Sequence, residues 1–117
     1  MAFSEFELYR SRKILANFCK TYGPPLQIRH QVAWGYYVDE RGQNADLFEI
    51  RPDLLDTTKF ATKPFARAKY IKSRGIWKIY WRRGKGKWAA YEPCPYALTL
   101  DDFLKLVRED SCGCFFG

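Results

Sequence analysis

The sequence predicts an α+β fold: a five-stranded antiparallel meander sheet flanked by an N-terminal and a C-terminal helix. Three observations predict it. Apolar residues recur at helical spacing near both ends of the chain, and between them the pattern switches to strict alternation in short segments bounded by Gly, Pro and Asn turns. At 117 residues and 47% hydrophobic, the chain fits a single domain with its own core (residues 1–117) and is too apolar to be disordered.

The elements follow in order. Ser4 and Glu7 have the S-x-x-E form of a capping box, and Leu8, Ile14, Leu15 and Phe18 supply one apolar stripe, so residues 4–21 read as a helix. Gly23-Pro24-Pro25 ends it. The sheet spans residues 27–92. From Gln27 to Asp39 the side chains of Ile28, His30, Val32, Trp34, Tyr36 and Val38 alternate with Arg29, Gln31 and Gly35, giving a first strand with His30 in its apolar set. "DERGQN" is a turn, and Ala45 to Arg51 closes a hairpin. "PDLLDTTKFATK" has no clean period and reads as a connecting loop with one helical turn at Pro52 to Leu55. Strands at Phe65–Lys72, Ile76–Arg82 and Trp88–Glu92 follow, separated by "KSRG" and "RRGKGK". Pro93 and Pro95 stop the sheet. Thr99 with Asp102 caps a helix over residues 99–108, whose inner stripe is Leu100, Phe103, Leu104 and Val107. In the tail, residues 109–117, Phe115 and Phe116 are costly in water and are expected to plug the core.

Alternation assigns faces. Trp77, Ile79 and Trp81 lie opposite Lys78, Tyr80 and Arg82 on the fourth strand. The third divides as Ala66, Ala68 and Tyr70 against Phe65, Arg67, Lys69 and Ile71. The fifth divides as Trp88 and Ala90 against Lys87, Ala89 and Tyr91. Packing the three tryptophans of residues 77–88 over Ala66 and Ala68 makes an interdigitated layer under the helices. The bases then share the other face with Tyr80 and Tyr91. A two-residue turn at Arg74-Gly75 gives this pairing. "KSRG" also suits a type I turn with a bulge at Gly75, which shifts the register by one and sets Arg67 and Lys69 beside the tryptophans.

Net charge is +7, and its distribution matters more than its sum. Between Thr57 and Tyr91 stand eleven Lys or Arg and no acid; the rest of the chain carries nine bases and thirteen acids. Such a block sets a positive field over one face of a small domain. Cys19, Cys94, Cys112 and Cys114 lack the spacing of a disulfide framework or of paired zinc arms, so four reduced thiols and no metal are expected. The segment "MAFSEFELYRSRK" has no apolar core and is not a signal peptide, and no apolar run approaches a membrane span. A cytoplasmic location without membrane contact is expected.

The second half carries a resemblance. "PFARAKYIKSRGIWKIYWRRGKGKWAAYEP" followed by "LDDFLKLVREDSCGCFFG" is similar to the bacterial family catalogued as domain of unknown function 3024. Pro64, Ala66, Tyr70, Gly75, the run Trp77, Tyr80 and Trp81, then Trp88, Tyr91 and the terminal G-x-F-F-G carry it, and it extends more weakly through the first helix and hairpin. Cys112 and Cys114 depart from the family, where other small residues are common; this argues further against a family metal site. The resemblance implies a small, self-contained bacterial protein and brings no activity, cofactor or catalytic residue.

Catalysis needs a nucleophile with a base, paired carboxylates or a metal. His30 reads as a core histidine, Asp101 and Asp102 as first-turn helix acids, and "GKGK" lacks P-loop spacing. No enzyme and no cofactor are expected. The acid-free block predicts instead a binding module for RNA or single-stranded DNA, with Arg67, Lys69, Lys78, Arg82, Arg83, Lys85 and Lys87 tracking phosphates and Tyr80 and Tyr91 as stacking surfaces. The alternative is an adaptor for an acidic protein, or a homodimer, using the same face. Oligomeric state, monomer or homodimer, stays open.

Overall fold

The structure, a computed structural model, describes residues 5–39, 41, 43–83, 86–110 and 115. Helix α1 (Glu5–Tyr22) buries Ser11, Leu15 and Phe18; its expected cap, Ser4, lies outside the described residues. Six strands follow: β1 (Ala33–Asp39), β2 (Asn44–Pro52), β3 (Phe60–Ile71), β4 (Ile76–Arg82), β5 (Trp88–Ala90) and β6 (Tyr96–Ala97), before helix α2 (Leu100–Glu109). The sheet is an antiparallel meander in the order β1-β2-β3-β4-β5, and β6 continues the β5 edge along β4. Two N–H···O bonds bridge the gap between β5 and β6: the Tyr91 amide donates to Ile79 O at 2.9 Å, and the Ile79 amide to Pro95 O at 2.9 Å. The sheet with a helix at each end is the fold that periodicity predicts.

Both helices cover one face. Phe18 stacks on Trp34 with centroids 5.9 Å apart, and Ser11 and Ile14 of α1 meet Tyr70, Trp77 and Leu100 around one cavity. Leu100, Phe103, Leu104 and Val107 of α2 are all buried, and the Thr99 hydroxyl accepts from the Asp102 amide at 3.1 Å. The first turn of α2 is thus capped as its sequence requires. Beneath the helices lie Val38, Ala45, Leu47, Ala66, Ala68, Trp77 and Ile79.

Several elements differ from expectation. Residues 27–32 are not strand. Leu26–Ile28 forms a 3-10 turn, and the Arg29 side chain clamps the helix exit, donating to Pro24 O at 2.7 Å and Lys20 O at 2.9 Å. Two successive prolines and this clamp hold the chain in turns, so His30 is exposed rather than a core histidine. Five of the twelve residues expected as loop at 52–63 are strand instead: Pro52 ends β2, and Phe60 to Lys63 pair with Glu49 to Pro52; Pro52 to Leu55 is accordingly not the helical turn expected there. The β2–β3 register breaks between Leu47 and Phe48, leaving Phe65 as an extra residue. That bulge turns Phe65, expected among the bases, into the core against Trp34, with centroids 5.4 Å apart.

Candidate functional site

The face opposite the helices is built mainly from β2 to β5, and two turns decide what it displays. Between β3 and β4 Ile71 pairs with Ile76, and the amides of Arg74 and Gly75 both donate to Ile71 O, with Gly75 at φ +64°. The turn therefore has four residues, not two. It moves the register by two, and a shift of two preserves the faces. Lys69 sits opposite Lys78 and Arg67 opposite Tyr80, away from Trp77, Ile79 and Trp81.

The next turn reverses an expectation. Arg82 pairs with Trp88, and the Arg83 amide donates to Lys87 O at 2.8 Å, so three residues separate the strands. Gly86 takes φ +76°, the left-handed position that three-residue hairpin loops give to glycine. An odd connection swaps the faces of β5 relative to a two-residue turn. Trp88, expected in the core, stands on the basic face beside Arg82. Tyr91, expected on the basic face, is 1% exposed, with its ring 4.7 Å from Phe115. Tyr91 is thus a core residue and cannot serve as a stacking surface; Phe115 plugs the core as expected, while Phe116 lies outside the described residues.

The side chains on this face form ring–cation pairs. The Arg67 guanidinium lies 4.5 Å from the Trp88 centroid, that of Arg82 lies 5.2 Å from it, and the Lys78 ammonium lies 5.4 Å from the Tyr80 centroid. Each distance is within cation–π range. Arg82 also leans over Gly86, where an added Cβ would meet its terminal nitrogen at 3.0 Å. On the adjoining β6, Tyr96 pairs with Lys78 in the ladder and carries Arg74 at 5.3 Å. Trp88, Tyr80 and Tyr96 thus follow the course of β4 at intervals of roughly 7 Å, two strand residues apart.

Not every base here is available. Arg67 donates twice to Asp46, at 2.7 and 2.8 Å, and both side chains are largely buried. The hydrogen bonds to Asp46 push the guanidinium pKa up, working against the burial that would lower it. Arg67 is neutralised in place and acts as a fixed support for Trp88. Among the described residues, Lys69, Lys78 and Arg82 remain as the cations around Tyr80 and Trp88, with Arg74 beside Tyr96. Arg83 points to the helix side, 5.8 Å from the Trp81 ring, and Lys87 pairs with it there. The structure therefore brings together Lys69, Lys78, Tyr80 and Arg82, sets Arg67 in an ion pair, and separates Arg83, Lys87 and Tyr91 from them. Lys85 lies outside the described residues, as do Cys112 and Cys114.

Sequence reasoning missed Trp88, Asp46 and Asn44. Asn44, Arg67, Lys69, Tyr80 and Trp88 line a hollow of about 140 Å³. Among the described residues, the buried Asn44 Oδ1 has no hydrogen-bond partner. A buried acceptor left unpaired is a cost that calls for a reason, and this one stands at the wall of the hollow that Lys69, Tyr80 and Trp88 share. The signal for Trp88 was present in "RRGKGK", whose second glycine suits a three-residue loop.

Elsewhere the chemistry is muted. Burial pushes the Cys19 thiol up to about 11, only partly offset by Arg29. Among the described residues no three His, Cys, Asp or Glu side chains are grouped to hold a metal, and no helix is long and apolar enough to cross a membrane. Neither the curated proteins nor the solved structures contain a match to this chain. The model of the domain of unknown function DUF3024 matches residues 3–117, essentially the whole chain, and the protein belongs to that family.

Proposed function

We propose that the protein is a non-enzymatic binding module whose helix-free sheet face takes single-stranded nucleic acid, RNA or DNA. One observation carries the reading: Lys69, Lys78 and Arg82 converge from two adjacent strands around Tyr80 and Trp88, with a cation beside each ring. Cations on a groove or face track phosphates, and rings or guanidinium planes stack bases without regard to sequence. An antiparallel sheet can leave one side to water, but a merely solvated side has no use for a tryptophan and two tyrosines in file. An acidic protein would satisfy the charge equally.

The test reverses charge at two solvent-reaching positions. Lys78→Glu with Arg82→Glu should abolish binding to a single-stranded oligonucleotide at low salt while the melting temperature stays nearly unchanged. Undiminished binding by this variant would remove the face from consideration.

A further inference from the structure

The β2–β3 hairpin extends beyond the sheet. β1 pairs with β2 only as far as Ile50, and β4 pairs with β3 only from Ala66 onward. Residues 51–61 therefore form a two-stranded arm, an element that is marginal on its own in water. Its tip is nevertheless well built. The Asp53 amide donates to Lys59 O at 2.9 Å and the Lys59 amide to Asp56 O at 3.0 Å, while the Asp53 carboxylate accepts from the amides of Leu55 and Asp56. This ordered turn holds Leu54 and Leu55 at 98% exposure each, with Phe60 behind them at 67%. Two adjacent leucines presented in full by a hydrogen-bonded turn mark a contact surface.

The same chain holds a matching receptor. α1 and α2 run side by side in the same direction: Tyr22 meets Arg108 at one end, its hydroxyl accepting at 2.9 Å, and Ile14 meets Asp101 at the other. Between them is a cavity of about 330 Å³ with Ile14, Phe18 and Leu104 in its lining and Lys105 and Arg108 toward one end. The tip reads acid–Leu–Leu–acid, Asp53 to Asp56. Hydrogen bonds from Thr58 hold the Asp56 carboxyl below its ordinary range, so it stays charged at neutral pH. Its ion-pair partner Lys59 is distant at 3.9 Å and exposed, a weak competitor.

We propose that the Leu54–Leu55 tip of one molecule docks into the α1–α2 groove of a second copy of this chain. The leucines enter the apolar lining, Asp53 and Asp56 face Lys105 and Arg108, and Asp101 stands at the far end, where it fixes the direction of entry by repulsion. The contact is heterologous. It closes as a reciprocal dimer if both tips engage and otherwise propagates as a chain. Because the groove is on the helix side, the contact leaves the basic sheet face free and is independent of its ligand.

Sedimentation equilibrium across a concentration series tests this. The unmodified protein should exceed monomer mass, and Leu54→Asp with Leu55→Asp should return it to monomer. Lys105→Glu with Arg108→Gln should do the same; melting curves of the leucine variant should match the parent, and the groove variant should melt slightly lower, because Arg108 gives up its contact with Tyr22, while remaining folded. The decisive arm mixes the two variants. One keeps an intact groove and the other an intact tip, so the mixture should associate where neither does alone. A parent that stays monomeric at the highest concentration, or a mixture that fails to associate, overturns the proposal and leaves the leucines to a different partner.

Discussion

The Arg67 guanidinium rests 4.5 Å from the Trp88 centroid while donating two hydrogen bonds to Asp46. One side chain thereby links β2, β3 and β5 across the uncovered face. The arrangement has a cost for binding, since Asp46 cancels a charge that phosphate could use, and a benefit in rigidity, since Trp88 gains a fixed neighbour.

Replacing Asp46 by Asn should separate these two effects. Loss of a bidentate, partly buried partner should lower stability by about 1–2 kcal/mol, read by urea unfolding. The freed Arg67 charge should at the same time tighten oligonucleotide binding. A variant that is both less stable and a weaker binder would show that Arg67 serves the site only through its ion pair.

The swapped positions of Tyr91 and Trp88 give a sharp contrast. Tyr91→Ala removes a fully buried ring packed on Phe115 and should cost about 3–5 kcal/mol. Trp88→Ala removes a half-buried ring on an open face and should cost about 1 kcal/mol, chiefly its cation–π contacts. A larger cost for Trp88→Ala than for Tyr91→Ala would mean that β5 presents the opposite face to the helices.

Where sequence succeeded and failed follows from parity. Trp77, Ile79, Ala66 and Ala68 could be placed because the four-residue turn at 72–75 changes the register by an even number. Trp88 and Tyr91 could not, because alternation within β5 is equally consistent with both faces and only the length of the turn before it decides. His30 was misplaced because residues 27–32 alternate by chance, while Pro24, Pro25 and the Arg29 clamp impose turns through contacts that periodicity does not register. Phe60 to Lys63 reads as loop because this part of β3 precedes its first pair with β4 and is exposed, so it needs no apolar alternation. Of the site, the positive charge was legible; the Asp46 pair that withdraws Arg67 from it was not, since Asp46 lies 21 residues away in sequence and meets Arg67 only through the β2–β3 register.

Cys19 supplies a pH dependence with a definite sign. Burial raises its thiol pKa from 9.0 to about 11 in the folded state. Below about pH 9 the thiol is protonated folded or unfolded, and its contribution is fully present. As pH rises toward 11 the unfolded chain releases the proton more readily, so stability falls. Urea midpoints should therefore drop between pH 9 and 11, and Cys19→Ser should drop less. A parallel decline in both proteins would assign the loss to other groups. At pH 8 native Cys19 should also react slowly with a thiol reagent and rapidly after unfolding.

The central claim, that the Tyr80–Trp88 face binds single strands through Lys69, Lys78 and Arg82 and its rings, is tested most directly by titrating a fluorescent single-stranded oligonucleotide at several salt concentrations. With Lys69, Lys78 and Arg82 as the phosphate contacts, log affinity should fall against log salt with a slope of about −2. Trp88→Ala should weaken binding by about 1–3 kcal/mol while leaving that slope unchanged, because a stacking surface is lost and no charge with it. No binding at low salt, or binding that Trp88→Ala leaves intact, would contradict the account.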